Sequence, residues 1–207
     1  MILSRRLLQS LMIAAVFVGL WLAMMLLGTG TVDRTILAAV YAGDNSALAE
    51  GARLVTTLGD GRFVTILAII AGLWLMRQKR LMTAVVLLIG TGIGRGLTEI
   101  QKYGINRLRP DENPHLVATY NLSFPSGHSA NAMMIYLCLA LLLPRERRGP
   151  WIAAALVIAG LVGLSRMMLG VHWPSDVVGG WSYGAIWTLL LVTADQTLKR
   201  NSNTSPS

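Results

Sequence analysis

Apolar residues fall along this chain in six runs: about Leu7 to Gly28, Phe63 to Met76, Leu81 to roughly Glu99, His128 to Leu143, Trp151 to Leu164 and Val177 to Ala194. A hydrocarbon core about 30 Å thick needs roughly 20 helical residues per crossing, and several runs reach that length only when their polar ends are added. The pattern predicts six membrane helices and leaves no room for a separate soluble domain. The first run follows Arg5 and Arg6 but is long and has no small-x-small cleavage site before Thr29, so it reads as a retained helix and not as a signal peptide.

Composition agrees. Of 207 residues, 54% are hydrophobic and only 14% charged, too apolar for a soluble domain of this size. The expected fold is all-α and polytopic, six transmembrane helices in one bundle, forming a single integral-membrane domain over 1–200. The segment 201–207, NSNTSPS, reads as a disordered tail. The loop from Thr29 to Arg62 has room for a short interfacial helix. Cys138, the single cysteine, lies in an apolar run and excludes an intrachain disulfide or a cysteine metal cluster. No internal repeat is evident, which disfavours a transporter built from paired halves.

The net charge of +8 would raise nucleic acid binding in a soluble protein, but here the charges sit between membrane runs. With a cytoplasmic amino terminus, the short inside segments hold Arg5, Arg6, Arg77, Lys79, Arg80, Arg145, Arg147, Arg148, Lys199 and Arg200, while most acids fall outside. That is the positive-inside distribution. It predicts a bacterial inner-membrane protein with both termini cytoplasmic, a bilayer and not a nucleic acid as its partner, and an extracytoplasmic, periplasm-facing end.

Three polar clusters gather at that end. The first is KYGINRLRP, Lys102 to Pro110, where Lys102 and Arg109 would share a face if the helix continued two turns. The second is PSGHS, Pro125 to Ser129: Ser126 reads as an N-cap, Gly127 lets a ligand approach the backbone, and the helix start is an anion site. His128 in the first turn is able to move a proton near neutral pH. The third is SRMMLGVHWPSD, Ser165 to Asp176, read as the short loop between the last two runs. There Asp176, one turn inside a helix opened by Pro174, can hold an imidazole N–H of His172 and leave its other nitrogen nucleophilic. Arg166 adds a planar fork for phosphate oxygens.

Lys102, Arg109 and Arg166 without a carboxylate cluster suit a dianionic phosphate and do not suit magnesium. The chemistry indicated is phosphoryl transfer that needs no metal or other cofactor, with one histidine attacking and the other protonating the leaving oxygen. Each cluster also has a plainer reading: a snorkelling helix end, a cap, an interfacial aromatic anchor. A zinc site from His115, His128 and His172 would set a metal against three cations; His115 reads better as a solvated loop residue. Arg95 and Glu99, four residues apart, read as a compensating pair.

The clusters resemble the signature of the type 2 phosphatidic acid phosphatase family, Lys-x6-Arg-Pro, Pro-Ser-Gly-His and Ser-Arg-x5-His-x3-Asp, in residue type, spacing and order over 102–176. The resemblance implies a nucleophilic His172 that forms a phosphohistidine, oriented by Asp176, and His128 as general acid. It implies that Lys102, Arg109, Ser126, Gly127 and Arg166 bind the phosphoryl oxygens. It implies a metal-free lipid phosphatase acting on a lipid phosphate or diphosphate such as phosphatidic acid, phosphatidylglycerophosphate or undecaprenyl diphosphate. A lipid phosphotransferase would use the same residues, and a non-catalytic phospholipid carrier would use the cations for binding alone.

Overall fold

The structure, a computed structural model, describes residues 5–119 and 122–204; the described residues form eight α-helices and no strand. These are α1 (Arg5–Leu27), α2 (Thr31–Val40), α3 (Ser46–Thr56), α4 (Gly61–Arg77), α5 (Leu81–Ile105), α6 (Gly127–Leu142), α7 (Arg148–Met168) and α8 (Pro174–Thr204). Each apolar run is a helix, and α4, α5, α7 and α8 extend past their runs into polar sequence. By length and apolarity α1, α5, α7 and α8 qualify as membrane spans, and α3 with α4, bent by 44°, would make a fifth. The remaining expected span, α6, has only 16 residues, about 24 Å of helix against a core of about 30 Å.

The short helix is the centre of the bundle. It packs most extensively against α8 and α7, and α8 in turn seats α1. The α6–α8 contact is close because α8 presents Gly180 and Gly184, one turn apart. A Cβ at Gly180 would stand 2.6 Å from the Ser126 carbonyl oxygen, and one at Gly184 2.6 Å from that of Ala130. Small residues at this spacing let two backbones meet in a medium with no hydrophobic drive between helices. Around them α8 spends its polar atoms on neighbouring backbone: Trp187 Nε1 donates to Gly90 O (2.8 Å), Tyr183 Oη to Gly94 O (2.7 Å) and Trp181 Nε1 to Ala159 O (2.9 Å). The outer faces are apolar; α1 exposes Leu11, Met12, Val16 and Leu26. Cys138 is buried in the core with Leu87, Ile135 and Leu191.

Three local expectations are corrected. The Thr29–Arg62 segment holds two helices, α2 and α3, which pack on α7. Ser165 and Arg166 belong to the last turn of α7 and not to a loop, because that helix runs on to Met168 before Gly170 (φ +72) turns the chain. The carboxyl-terminal segment is not a disordered tail throughout: α8 continues through Thr204, and 205–207 lie outside the described residues.

A Gly184→Leu substitution would force α6 and α8 apart, and overpacking a filled contact costs about 1–3 kcal/mol. Its thermal midpoint in detergent should fall by several degrees, whereas Gly19→Ala, with nothing within 4 Å of the added carbon, should change it little. Equal midpoints for the two variants would show that the close contact does not hold the bundle.

Candidate active site

The site is built at one end of the bundle, where α5 ends, α6 starts and the α7–α8 turn closes. Helix α6 begins after the cis Phe124–Pro125 bond. Ser126 caps it, its Oγ accepting from Ser129 N (3.4 Å) and Ser129 Oγ (3.0 Å), while Ser126 N donates to Asp176 O (3.0 Å). Helix α5 stops where Asn106 takes a left-handed conformation (φ 55), which asparagine tolerates. Arg109 therefore arrives on a loop and not on the helical face it was expected to share with Lys102.

Lys102, Arg109, Gly127, His128, Arg166 and His172 nonetheless line one cavity of about 500 Å³. His172 is fully enclosed on the protein side. Its Nδ1 lies 3.4 Å from Asp176 Oδ2 and 3.4 Å from Ser123 Oγ, and its Nε2 lies 3.1 Å from Arg109 Nη1. A guanidinium only donates, so Nε2 is the acceptor and the ring proton sits on Nδ1, toward the carboxylate. Burial, and then the charges of Arg109, Arg166 and Lys102, hold the His172 pKa well below its ordinary value. A neutral ring with its lone pair at the cavity is the form a nucleophile needs.

The cations are partly satisfied by protein. Arg109 Nη1 donates to Val171 O (2.5 Å) and its Nη2 to Leu122 O (3.3 Å). Arg166 Nη1 donates to Thr56 Oγ1 (2.9 Å), but its buried Nε has no partner among the described residues. Lys102 Nζ pairs with Glu99 (2.9 Å) and lies beside Gly127 at the start of α6. A helix N-terminus and three cations on one wall attract an anion strongly.

Several placements differ from expectation. Ser126 was expected among the phosphate ligands; it is fully buried as the α6 cap and does not line the cavity. The ion pair of Glu99 is to Lys102, while Arg95 Nη1 donates to Thr65 Oγ1. His115 is the exposed loop residue expected, its Nε2 2.7 Å from Pro110 O. No group of three His, Cys, Asp or Glu among the described residues is arranged to hold a metal.

Sequence reasoning also missed the partners of Asp176. Arg107 has a largely enclosed side chain: its Nη1 donates to Asp176 Oδ1 (2.9 Å) and Ser175 Oγ (3.0 Å). Its Nη2 caps the end of α1 at Met24 O (2.8 Å) and Met25 O (2.6 Å), and the guanidinium stacks 4.4 Å above Phe124. Ser123 Oγ and Trp173 N (2.9 Å) both donate to Asp176 Oδ2. From α2, buried Asp33 receives Ser175 N (3.0 Å) and Ser175 Oγ. The one visible signal was Arg107 itself, a second arginine inside the first cluster.

Comparison with known proteins converges on one family. A family model described as the PAP2 superfamily matches residues 80–200. The phosphatidylglycerophosphatase B of Bacillus subtilis is 37% identical over 153 residues, covering 70% of this chain and 74% of that protein. An undecaprenyl-diphosphatase of Sulfolobus acidocaldarius is 33% identical over 137 residues, covering 62% and 63%. The crystal structure of a transmembrane PAP2-type phosphatidylglycerolphosphate phosphatase from Bacillus subtilis superposes with a TM-score of 0.80 at 32% identity, over 92% of this chain and 98% of that one.

Removing one member of a buried ion pair costs about 3–5 kcal/mol because the other charge is left uncompensated. Arg107→Met should therefore unfold in detergent well below the wild type, and Arg107→Lys, which keeps the charge but not the fork that reaches both Asp176 and α1, should fall between them. A wild-type midpoint for Arg107→Met would show that this clamp does not hold the fold.

Proposed function

This chain belongs to the PAP2 superfamily, and from that premise we propose that it is a membrane lipid phosphatase working through a phosphohistidine on His172. The reading rests chiefly on one observation: the unprotonated Nε2 of His172 faces a cavity shared with Arg109, the orphaned Nε of Arg166, Lys102 and the start of α6. A phosphoryl group there has a nucleophile on one side and donors around its equatorial oxygens.

In the first step Nε2 attacks phosphorus and the bond to the lipid oxygen breaks. His128, on the same cavity wall, gives its proton to the leaving alcohol or lipid phosphate. Asp176 and Ser123 keep the Nδ1–H of His172 directed away from the reaction and stabilise the ring as it gains positive character. In the second step water loses a proton to His128 and attacks phosphorus, the P–N bond breaks, and inorganic phosphate leaves with His172 restored. Lys102, Arg109, Arg166 and the Gly127 amide hold the oxygens throughout; Ser126 serves by fixing the first turn of α6. No metal enters either step.

The substrate is a lipid phosphate monoester or diphosphate of the phosphatidic acid, phosphatidylglycerophosphate or undecaprenyl diphosphate type. The six helices of one domain over 1–200 cross the membrane with the site at the extracytoplasmic end and both termini cytoplasmic. The support is the charge: Arg77, Lys79, Arg80, Arg145, Arg147 and Arg148 all lie at turns at the opposite end of the bundle from the cavity.

Purified protein should release phosphate from these lipids in EDTA. His128→Ala should slow release by about 10²–10⁴-fold, the usual contribution of general acid–base catalysis, and His172→Ala should abolish it along with acid-labile protein phosphate. Unchanged release by folded His172→Ala would sink the assignment. Transfer of the phosphate to a second lipid, detected by product mass, would make the enzyme a phosphotransferase.

A further inference from the structure

A second cavity, about 520 Å³, lies at the other end of the bundle and shares no lining residue with the first. Its floor is the carboxyl-terminal half of α6, with Leu139 and Ala140; its walls are Ala71 and Trp74 on α4 and Trp151 and Ala155 on α7. It exists because α4 and α7 both pack on α6 but scarcely on each other, and because alanines stand where larger side chains would meet across the gap. The lining is apolar apart from Tyr136 and Arg147. The Tyr136 hydroxyl is already used on Leu58 O (3.0 Å), so nothing on the floor asks for water.

The mouth has different chemistry. Arg147 lines it, and among the described residues its guanidinium has no hydrogen-bond or ion-pair partner, while Arg148 and Arg80 are turned to the α6 carboxyl-terminal carbonyls Leu143 O (2.6 Å) and Leu142 O (3.5 Å). Around it the two turns 77–80 and 144–148 carry six basic residues against the single acid Glu146. Trp74 and Trp151 flank the opening and are each more than half exposed (52% and 59%), as indoles are at a headgroup boundary. An apolar slot with a cation and two indoles at its rim complements a molecule with a hydrocarbon chain and a phosphate at its end. A positive field of this density selects net negative charge.

We propose that this groove is a binding site for an anionic phospholipid of the leaflet opposite the catalytic cavity, one acyl chain lying along α6 between α4 and α7 and the headgroup phosphate on Arg147. Such a lipid carries a phosphodiester, not a terminal phosphate, so it is not consumed. It braces α4 and α7 against the helix whose other end forms the catalytic wall. The site is independent of the reaction assigned to His172.

The test uses the full chain in nanodiscs with phosphatidylglycerol or phosphatidylcholine bearing a photoactivatable acyl chain. Cross-links from the phosphatidylglycerol probe should concentrate in 136–143 and 151–158 and exceed those from phosphatidylcholine. Losing one charged contact to phosphate should weaken labelling there about tenfold in Arg147→Gln, and Ala155→Trp, which fills the slot, should abolish it. Neither variant should alter phosphate release from a short-chain lipid phosphate. Equal labelling by the two lipids, or groove labelling unmoved by Arg147→Gln, would overturn the proposal. Arg147→Gln leaves the apolar walls intact, so the test does not depend on Ala155→Trp folding. Labelling is scored whether or not phosphate is released, so failure of the groove and failure of the catalytic reading are distinguishable.

Discussion

Burying the Asp176 carboxylate inside a helical bundle costs several kcal/mol unless every lone pair finds a donor, and much of this structure is arranged around that requirement. The donors come from separate places: Arg107 from the loop after α5, Ser123 from the approach to α6, and the Trp173 amide and His172 from the α7–α8 turn. Through Arg107 the same network reaches the end of α1, and through Ser175 it reaches Asp33 on α2. One carboxylate thus ties four distant segments to the ring that faces the cavity. Its fixed position decides which nitrogen of His172 carries the proton.

The opposite problem, an excess of positive charge, shapes the cavity. Lys102, Arg109 and Arg166 would repel one another in a low-dielectric space, and each is given partial compensation: Glu99 for Lys102, backbone carbonyls for Arg109, a threonine hydroxyl for Arg166. Because most of these partners are neutral, the wall keeps a net positive potential that a phosphoryl group neutralises. Helix α3 takes part directly: Thr56 orients Arg166, and Arg53 holds the 111–119 loop by donating to Leu116 O (3.0 Å).

The central position of α6 links the two ends. Its amino terminus is bare of side-chain bulk at Gly127, and its flank is pressed to α8 through Gly180 and Gly184. It is the shortest of the six apolar helices, with a cavity lined by charged groups and histidines at one end and one lined by apolar side chains at the other.

Read alone, the sequence located the six apolar helices, though not α2 and α3, because an apolar run is decided by residues within about four positions of one another. It also carried the motifs on which the proposed chemistry rests, in Lys102, Arg109, His128, Arg166 and His172. It did not reveal that Arg107 belongs to Asp176, 69 residues away, that Arg166 leans on Thr56 across 110, or that Ser175 leans on Asp33 across 142. It placed Ser126 as the α6 cap, but did not show that this serine is buried away from the cavity. Those choices were made by tertiary structure, since a buried charge takes whichever donor the packing brings within reach, and neither the identity nor the distance of that donor is written in the local pattern.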